Sequence, residues 1–241
     1  MYPDPVTLQT ARDRARREVS TEILDTARDH LARYGAAGLS LRAVARDLGL
    51  ASSSAIYRYF ENRDALLTRL IIDAYNALGD IAEQSVAGTR SGPPVQRWTD
   101  AAMAIRAWAL GHPHEYALLY GTPVPGYAAP QDTVGPGTRV SLALLSVVSD
   151  AANDGRLRAT DACDPKLEPV VLGDLATLCA AIAETTGTRL DEDVLFVGLG
   201  AWVQLFGLIS FEMFGQTRGL VSDHAAFFRE CAARSATQIG L

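Results

Sequence analysis

Apolar residues recur at steps of three and four along nearly the whole chain, and no stretch alternates in the Val-, Ile- and Thr-rich manner of a strand. That periodicity restricts the fold to an all-α one. Clusters of Pro, Gly and Ser at 35–40, 88–94, 111–113, 121–136, 187 and 215–219 cut it into separate helices. With 241 residues, nearly half of them hydrophobic, the chain can build a substantial core.

Ile23, Ala27, Leu31 and Tyr34 define one face of a first helix over about 16–34, which Gly35 is suited to stop in a left-handed conformation. Ser40 caps a short second helix with its apolar stripe at Leu41, Val44, Ala45 and Leu48, and Gly49 ends it. After Leu50, Ser52 or Ser53 can start a third helix. It turns Ile56 and Phe60 inward and leaves Ser54, Tyr57, Arg58 and Tyr59 for other surfaces. Two short helices about a tight glycine turn make a helix-turn-helix. Asn62 or Asp64 then opens a long fourth helix, with Leu67, Leu70, Ile71, Ala74, Leu78 and Ile81 in register.

The organisation that follows is a flexible arm over 1–15, a three-helix head over 16–63 whose helix-turn-helix is of the kind that binds DNA, and a helical bundle over 64–241. In the body, helices are predicted over 95–110, 115–120, 137–153, 165–185, 192–214 and 223–238.

Charge supports this division. The chain carries a net charge of −6, which argues against general coating of nucleic acid. The first 64 residues hold ten arginines against nine carboxylates, and the acidic excess lies in the remainder. Only the head can face phosphates, and its arginines must gather on one side to do so. The region 1–17 is polar and proline-containing, unlike a secretion signal, so a cytoplasmic protein is expected. Cys163, Cys179 and Cys231 are widely spaced in apolar surroundings and read as reduced core thiols.

The run Leu41-Arg42-Ala43-Val44-Ala45-Arg46-Asp47-Leu48-Gly49-Leu50, then Ala55-Ile56-Tyr57-Arg58-Tyr59-Phe60 and Arg63-Asp64-Ala65-Leu66-Leu67, closely resembles the DNA-binding head of TetR-family regulators over about residues 18–70. From Trp98 through His112-Pro113-His114-Glu115-Tyr116 to Pro123-Val124-Pro125-Gly126-Tyr127, the chain looks like the C-terminal domain of a TetR subgroup common in actinobacteria. One departure stands out. Gly49 lies eight steps before Tyr57, where the family usually has seven, because of Ser52-Ser53-Ser54.

The resemblance implies a repressor that leaves an inverted-repeat operator when a small molecule binds. It places Tyr57 and Tyr59 on phosphates; burial is the alternative for both. Ser52, Ser53 and Ser54 can hydrogen-bond to bases or phosphates, or simply cap the helix. Arg58 can make two hydrogen bonds to guanine O6 and N7. Ser40 stands at a helix start with Arg42 just after it, where the arginine can clamp the opposite strand. Arg63 corresponds to the family's basic residue at the start of the fourth helix, facing a phosphate. Either arginine can instead be an ordinary surface charge.

Residues 194–214 are apolar nearly all round, so that helix is central, membrane-spanning or shared with a partner. Gln204, Glu212 and the flanking Asp191-Glu192-Asp193 suit a membrane poorly. A homodimer built from the helices near 165–185 and 192–214 fits the pattern and the family. Trp98, Met103, Trp108, Tyr116, Tyr120 and Trp202 could line a cavity for an apolar or aromatic effector, or be ordinary core. His112, His114 and Glu115 flank a proline at a helix boundary without a fourth ligand and read as capping or surface residues. Neither metal nor cofactor is expected. No nucleophile elbow, phosphate-binding glycine loop or spaced catalytic set is present, so an enzyme is not expected either. The competing reading is a helical interaction module that has lost operator binding.

Overall fold

A computed structural model describes residues 11–50, 53–158 and 167–241, and among them it contains helices and no strand. Ser52, Cys163 and the expected helix start near Pro165 lie outside the described residues, as do the first ten residues of the expected arm. The helices are α1 (Ala11–Tyr34), α2 (Leu41–Asp47), α3 (Arg63–Gly88), α4 (Pro94–Gly111), α5 (Pro113–Tyr120), α6 (Val134–Asn153), α7 (Pro169–Thr186), α8 (Glu192–Met213) and α9 (His224–Ile239). The predicted third helix is instead a short 3-10 segment, Ser53–Arg58. The predicted fourth helix is therefore α3.

The chain forms two compact units. Among the described residues, one comprises those up to Asp73 together with His114–Thr133, and the other Ala74–Pro113 with those from Val134 to Leu241. This division differs from the boundary after Arg63 read in the sequence, for a packing reason. Leu66, Leu67 and Leu70 of α3 are buried in the same cluster as Ile23, Ala27, Leu31, Leu41, Val44 and Ile56, with Leu118, Val124 and Tyr127 packed on it. Polar contacts tie the same segment down: Arg28 reaches Asp73 at 3.3 Å and Glu115 at 3.6 Å, and the Thr68 and Tyr127 hydroxyls meet at 2.8 Å. Helical periodicity cannot report contacts between residues so far apart in sequence.

Tyr34 departs from the predicted stripe, being 61% exposed at the last turn of α1. Its Cβ lies where a side chain on Gly38 would have to go, 2.7 Å from an ideal Cβ there. Gly35 ends the helix at φ 66 and ψ 175, a region open to glycine though not the left-handed helical one.

In the second unit α4 is the hub, packed against α6, α8 and α9. Trp98, Ala101, Ala102, Ile105, Trp108 and Ala109 form its buried face. The Trp98 indole N–H donates to Ser235 of α9 at 3.2 Å. The Arg106 fork grips Glu212 of α8 through Nε to Oε2 at 2.7 Å and Nη2 to Oε1. Cys179 and Cys231 are free, and burial pushes both thiols up, away from the thiolate form.

Candidate nucleic-acid interface and apolar cavity

The helix-turn-helix is held by a C-terminal glycine motif. Gly49, at φ 67, donates to Arg46 O at 3.0 Å, and Leu50 donates to Ala45 O at 3.0 Å. This pairing satisfies the last carbonyls of α2 and turns Leu50 onto the core. His30 of α1 braces the far side. It is buried, and its Nε2 lies 2.8 Å from Asp47 Oδ2. That hydrogen bond holds the Asp47 carboxyl below its usual range.

Beyond the turn, the 3-10 form decides which side chains face outward. With three residues per turn, positions three apart share a face. Ile56 and Tyr59 therefore lie on the inner side, and Ser54 and Tyr57 on another. Ile56 is fully buried, while Tyr59 and Phe60 are half-buried against the core. Tyr57 is 48% exposed, and Arg58 and Ser54 are exposed as well. Tyr59, one residue beyond the 3-10 segment, rests part of its ring on the core, whereas the sequence left it for other surfaces. The amides of Tyr59 and Phe60 both donate to Ile56 O, at 2.9 and 3.0 Å. Ser53 begins the segment, but its side chain lies outside the described residues.

Ser40 occupies the N-cap of α2 with extended backbone, yet its hydroxyl makes no capping bond. Its carbonyl takes the Val44 amide at 2.9 Å instead. Arg42, one residue into α2, is exposed. At α3 the cap is Asn62, whose Oδ1 accepts from the Ala65 amide at 2.8 Å.

Arg63 is engaged within the head. Its Nε donates to Leu39 O at 3.0 Å and its Nη2 to Ala36 O at 2.8 Å. Nη1 is 3.7 Å from Asp64. The guanidinium thus braces the α1–α2 connection. No local pattern signals this, since the acceptors are carbonyls more than twenty residues away.

A cavity of about 300 Å³ lies within the second unit between α4, α6, α7 and α8. Trp98 and Trp202 line it, joined by Leu144, Val148, Ile182 and Val194. Thr138 and Ser141 are the hydroxyls on its wall. The other four expected residues are elsewhere. Trp108 stacks on His112 with centroids 4.9 Å apart, and Met103 is half-buried on α4 away from the lining. Tyr116 and Tyr120 belong to the first unit, their rings 5.0 Å apart. Leucine and valine lining residues escaped the sequence reading because their spacing on α6 and α8 is that of any core helix. His112 caps α4, with Nδ1 2.9 Å from Trp108 O, and Glu115 pairs with Arg28.

Helices α7 and α8 leave a broad apolar surface. Leu172, Leu178, Phe196, Val203 and Phe211 are all exposed, Val203 by 59% and Phe211 by 57%. α8 is long and apolar enough to cross a membrane by length and composition, with a third of its most apolar window buried in the protein.

Comparison with known proteins bears on both units. Residues 23–70 match the family described as bacterial regulatory proteins, tetR family, and residues 98–234 the tetracyclin repressor-like C-terminal domain. An HTH-type transcriptional regulator of Mycobacterium tuberculosis is 39% identical over 207 residues, covering 84% of this chain and 83% of its own length. One of Mycobacterium bovis matches to the same extent. Among solved structures, a regulatory protein 33% identical superposes with a TM-score of 0.72 over 94% of this chain and 98% of that one. A TetR-family transcriptional regulator from Thermus thermophilus shares the fold at 15% identity and a TM-score of 0.56, covering 90% of this chain and 96% of its own.

Proposed function

The chain belongs to the TetR family of helix-turn-helix transcriptional regulators, which are not enzymes, and we propose that it acts as a repressor in the cytoplasm. In this reading it binds an inverted-repeat operator as a homodimer and is released by a small apolar or aromatic effector. The observation that carries the proposal is the outward face of the 3-10 segment, where Ser54, Tyr57 and Arg58 are exposed while Ile56 anchors the backbone beneath them.

Each side chain has a role on DNA. Arg58 reads guanine through O6 and N7, and the Tyr57 hydroxyl donates to a phosphate. Ser54, with Ser52 and Ser53 before it, contacts base edges or backbone. The Ser40 hydroxyl, unused as a cap, and the first amides of α2 meet a phosphate on the neighbouring strand beside Arg42. Tyr59 and Arg63 hold the reading segment and the α1–α2 connection in place.

Two reading segments about 34 Å apart match successive major grooves, so the head requires a dimer. The apolar surface of α7 and α8 supplies the two-fold interface, using the helices near 165–185 and 192–214. The cavity between Trp98 and Trp202 takes the effector. Release follows only if the effector binds more tightly to the dimer state whose heads no longer match the grooves.

Selection of bound fragments from random duplex DNA, followed by gel shifts across a salt series, tests the proposal. A recovered inverted repeat that keeps its preference as salt rises supports it. A strictly monomeric protein, or one that grips every duplex equally, refutes it and favours an interaction module.

A further inference from the structure

The second unit contains another cleft, of about 390 Å³, formed by α3, the start of α4 and the α6 stripe of Arg139, Ala143, Ser146 and Asp150. It shares only Leu142 with the Trp98–Trp202 cavity. Val86, Ala87, Leu142 and Ala143 give it an apolar wall, and three arginines surround that wall.

The three cations differ in what remains to them. Arg139 lies across Gly79, where a Cβ would meet its own Cβ at 2.9 Å, and its fork is taken by Asp80, Glu83 and Asn76. Those carboxylates raise its pKa, so it stays charged and neutralised. Arg97 is 1% exposed. Its Nη2 donates to Asp150 at 2.7 Å, while its buried Nε and Nη1 find no acceptor among the described residues. Arg90, at the rim, is 4.0 Å from the same Asp150. Arg90 and Arg97 thus face one carboxylate between them, while Arg139 faces two, so the charges about the cleft balance and the unused N–H groups of Arg97 are what remains to be met. A buried guanidinium with unused N–H groups is costly, and an acceptor brought by a ligand removes that cost.

We propose that this cleft is a second small-molecule site, which takes an amphipathic monocarboxylic acid. The carboxylate accepts from Arg97 with Arg90 beside it, and a short aliphatic body lies on Val86, Ala87, Leu142 and Ala143. A monoanion fits better than a phosphate dianion, because the carboxylates Glu83 and Asp150 also line the cleft and repel added negative charge. The site is separate from the effector cavity and does not depend on it.

Calorimetric titration of the full chain with octanoate, and with octan-1-ol of equal chain length, tests this. Octanoate is expected to bind once per chain, and octan-1-ol about tenfold or more weaker for want of a charged acceptor. Arg97→Met should weaken octanoate by about the same factor. Ala87→Trp, at an exposed position on the cleft wall, should abolish binding without disturbing the core. Gly198→Phe, which fills the other cavity, should leave it unchanged. Should Arg97→Met fail to fold, Ala87→Trp decides. Equal binding of the alcohol, undiminished binding by Ala87→Trp, loss with Gly198→Phe, or no heat at millimolar octanoate overturns the proposal.

Discussion

Replacing Arg63 separates two roles that an arginine at the start of α3 can play. If it braces the head, Arg63→Ala removes two good charge-assisted hydrogen bonds, to Ala36 O at 2.8 Å and Leu39 O at 3.0 Å. Such bonds contribute about 1.5–3 kcal/mol each when buried. The side chain is 30% exposed, so water replaces part of this and about 1–1.5 kcal/mol per bond remains. The expected loss is about 2–3 kcal/mol, enough to lower the melting temperature of a unit this small by about 10 °C or more. Arg63→Lys should recover less than half, because a single ammonium cannot span two carbonyls as a planar fork does. A phosphate contact predicts a different pattern. Lost from both protomers, it would lower the salt slope of log K for DNA by about 1.8, at about 0.9 per contact. Thermal melts followed by circular dichroism, with operator binding across a salt series, read both quantities. The bracing role is refuted if Arg63→Ala melts like the parent while its salt slope drops by about 2 and Arg63→Lys restores it.

Three further outcomes are expected. Asp47 is held below its ordinary value of 3.8 chiefly by the His30 hydrogen bond, so its stabilisation is present above that value and is lost as pH falls through the lower folded value. Urea unfolding should therefore show a deficit for Asp47→Asn at pH 6 that shrinks below pH 3.8; a deficit independent of pH would count against the pairing. Arg106→Met should cost about 3–5 kcal/mol by stranding Glu212, and Arg106→Met with Glu212→Leu should recover most of it, because both side chains are largely buried; equal denaturation curves for the single and double variants would show the pair is uncoupled. Val203→Asp on the exposed face of α8 should convert a dimer to monomers in light scattering with its helical circular dichroism intact, and an unchanged mass would place the interface elsewhere.

What could be read in the sequence follows from which interactions are local. The stripes Leu41, Val44 and Ala45 on α2 and Leu67, Leu70, Ala74 and Leu78 on α3 are buried as their spacing requires. Gly49 takes the positive φ that its place after the stripe demands. The 3-10 form of Ser53–Arg58 was not legible, because propensity separates it poorly from one α-turn. Arg28, Arg63, Arg97 and Arg106 are each defined by a partner on another element, which no local pattern carries. The aromatic residues offered for the cavity divided in the same way. Trp98 and Trp202 meet across it only because α4 and α8 are neighbours, a contact that neither helix encodes alone.

The residues lining the Trp98–Trp202 cavity all fall in one unit, and the reading segment falls in the other. Lineages can therefore diversify the two along separate courses, exchanging Leu for Met or Val around the cavity without altering Ser54, Tyr57 or Arg58. α3 is the exception: Leu66 and Leu67 serve one unit while Val86 and Ala87 serve the other, so natural variation should be most constrained along that helix.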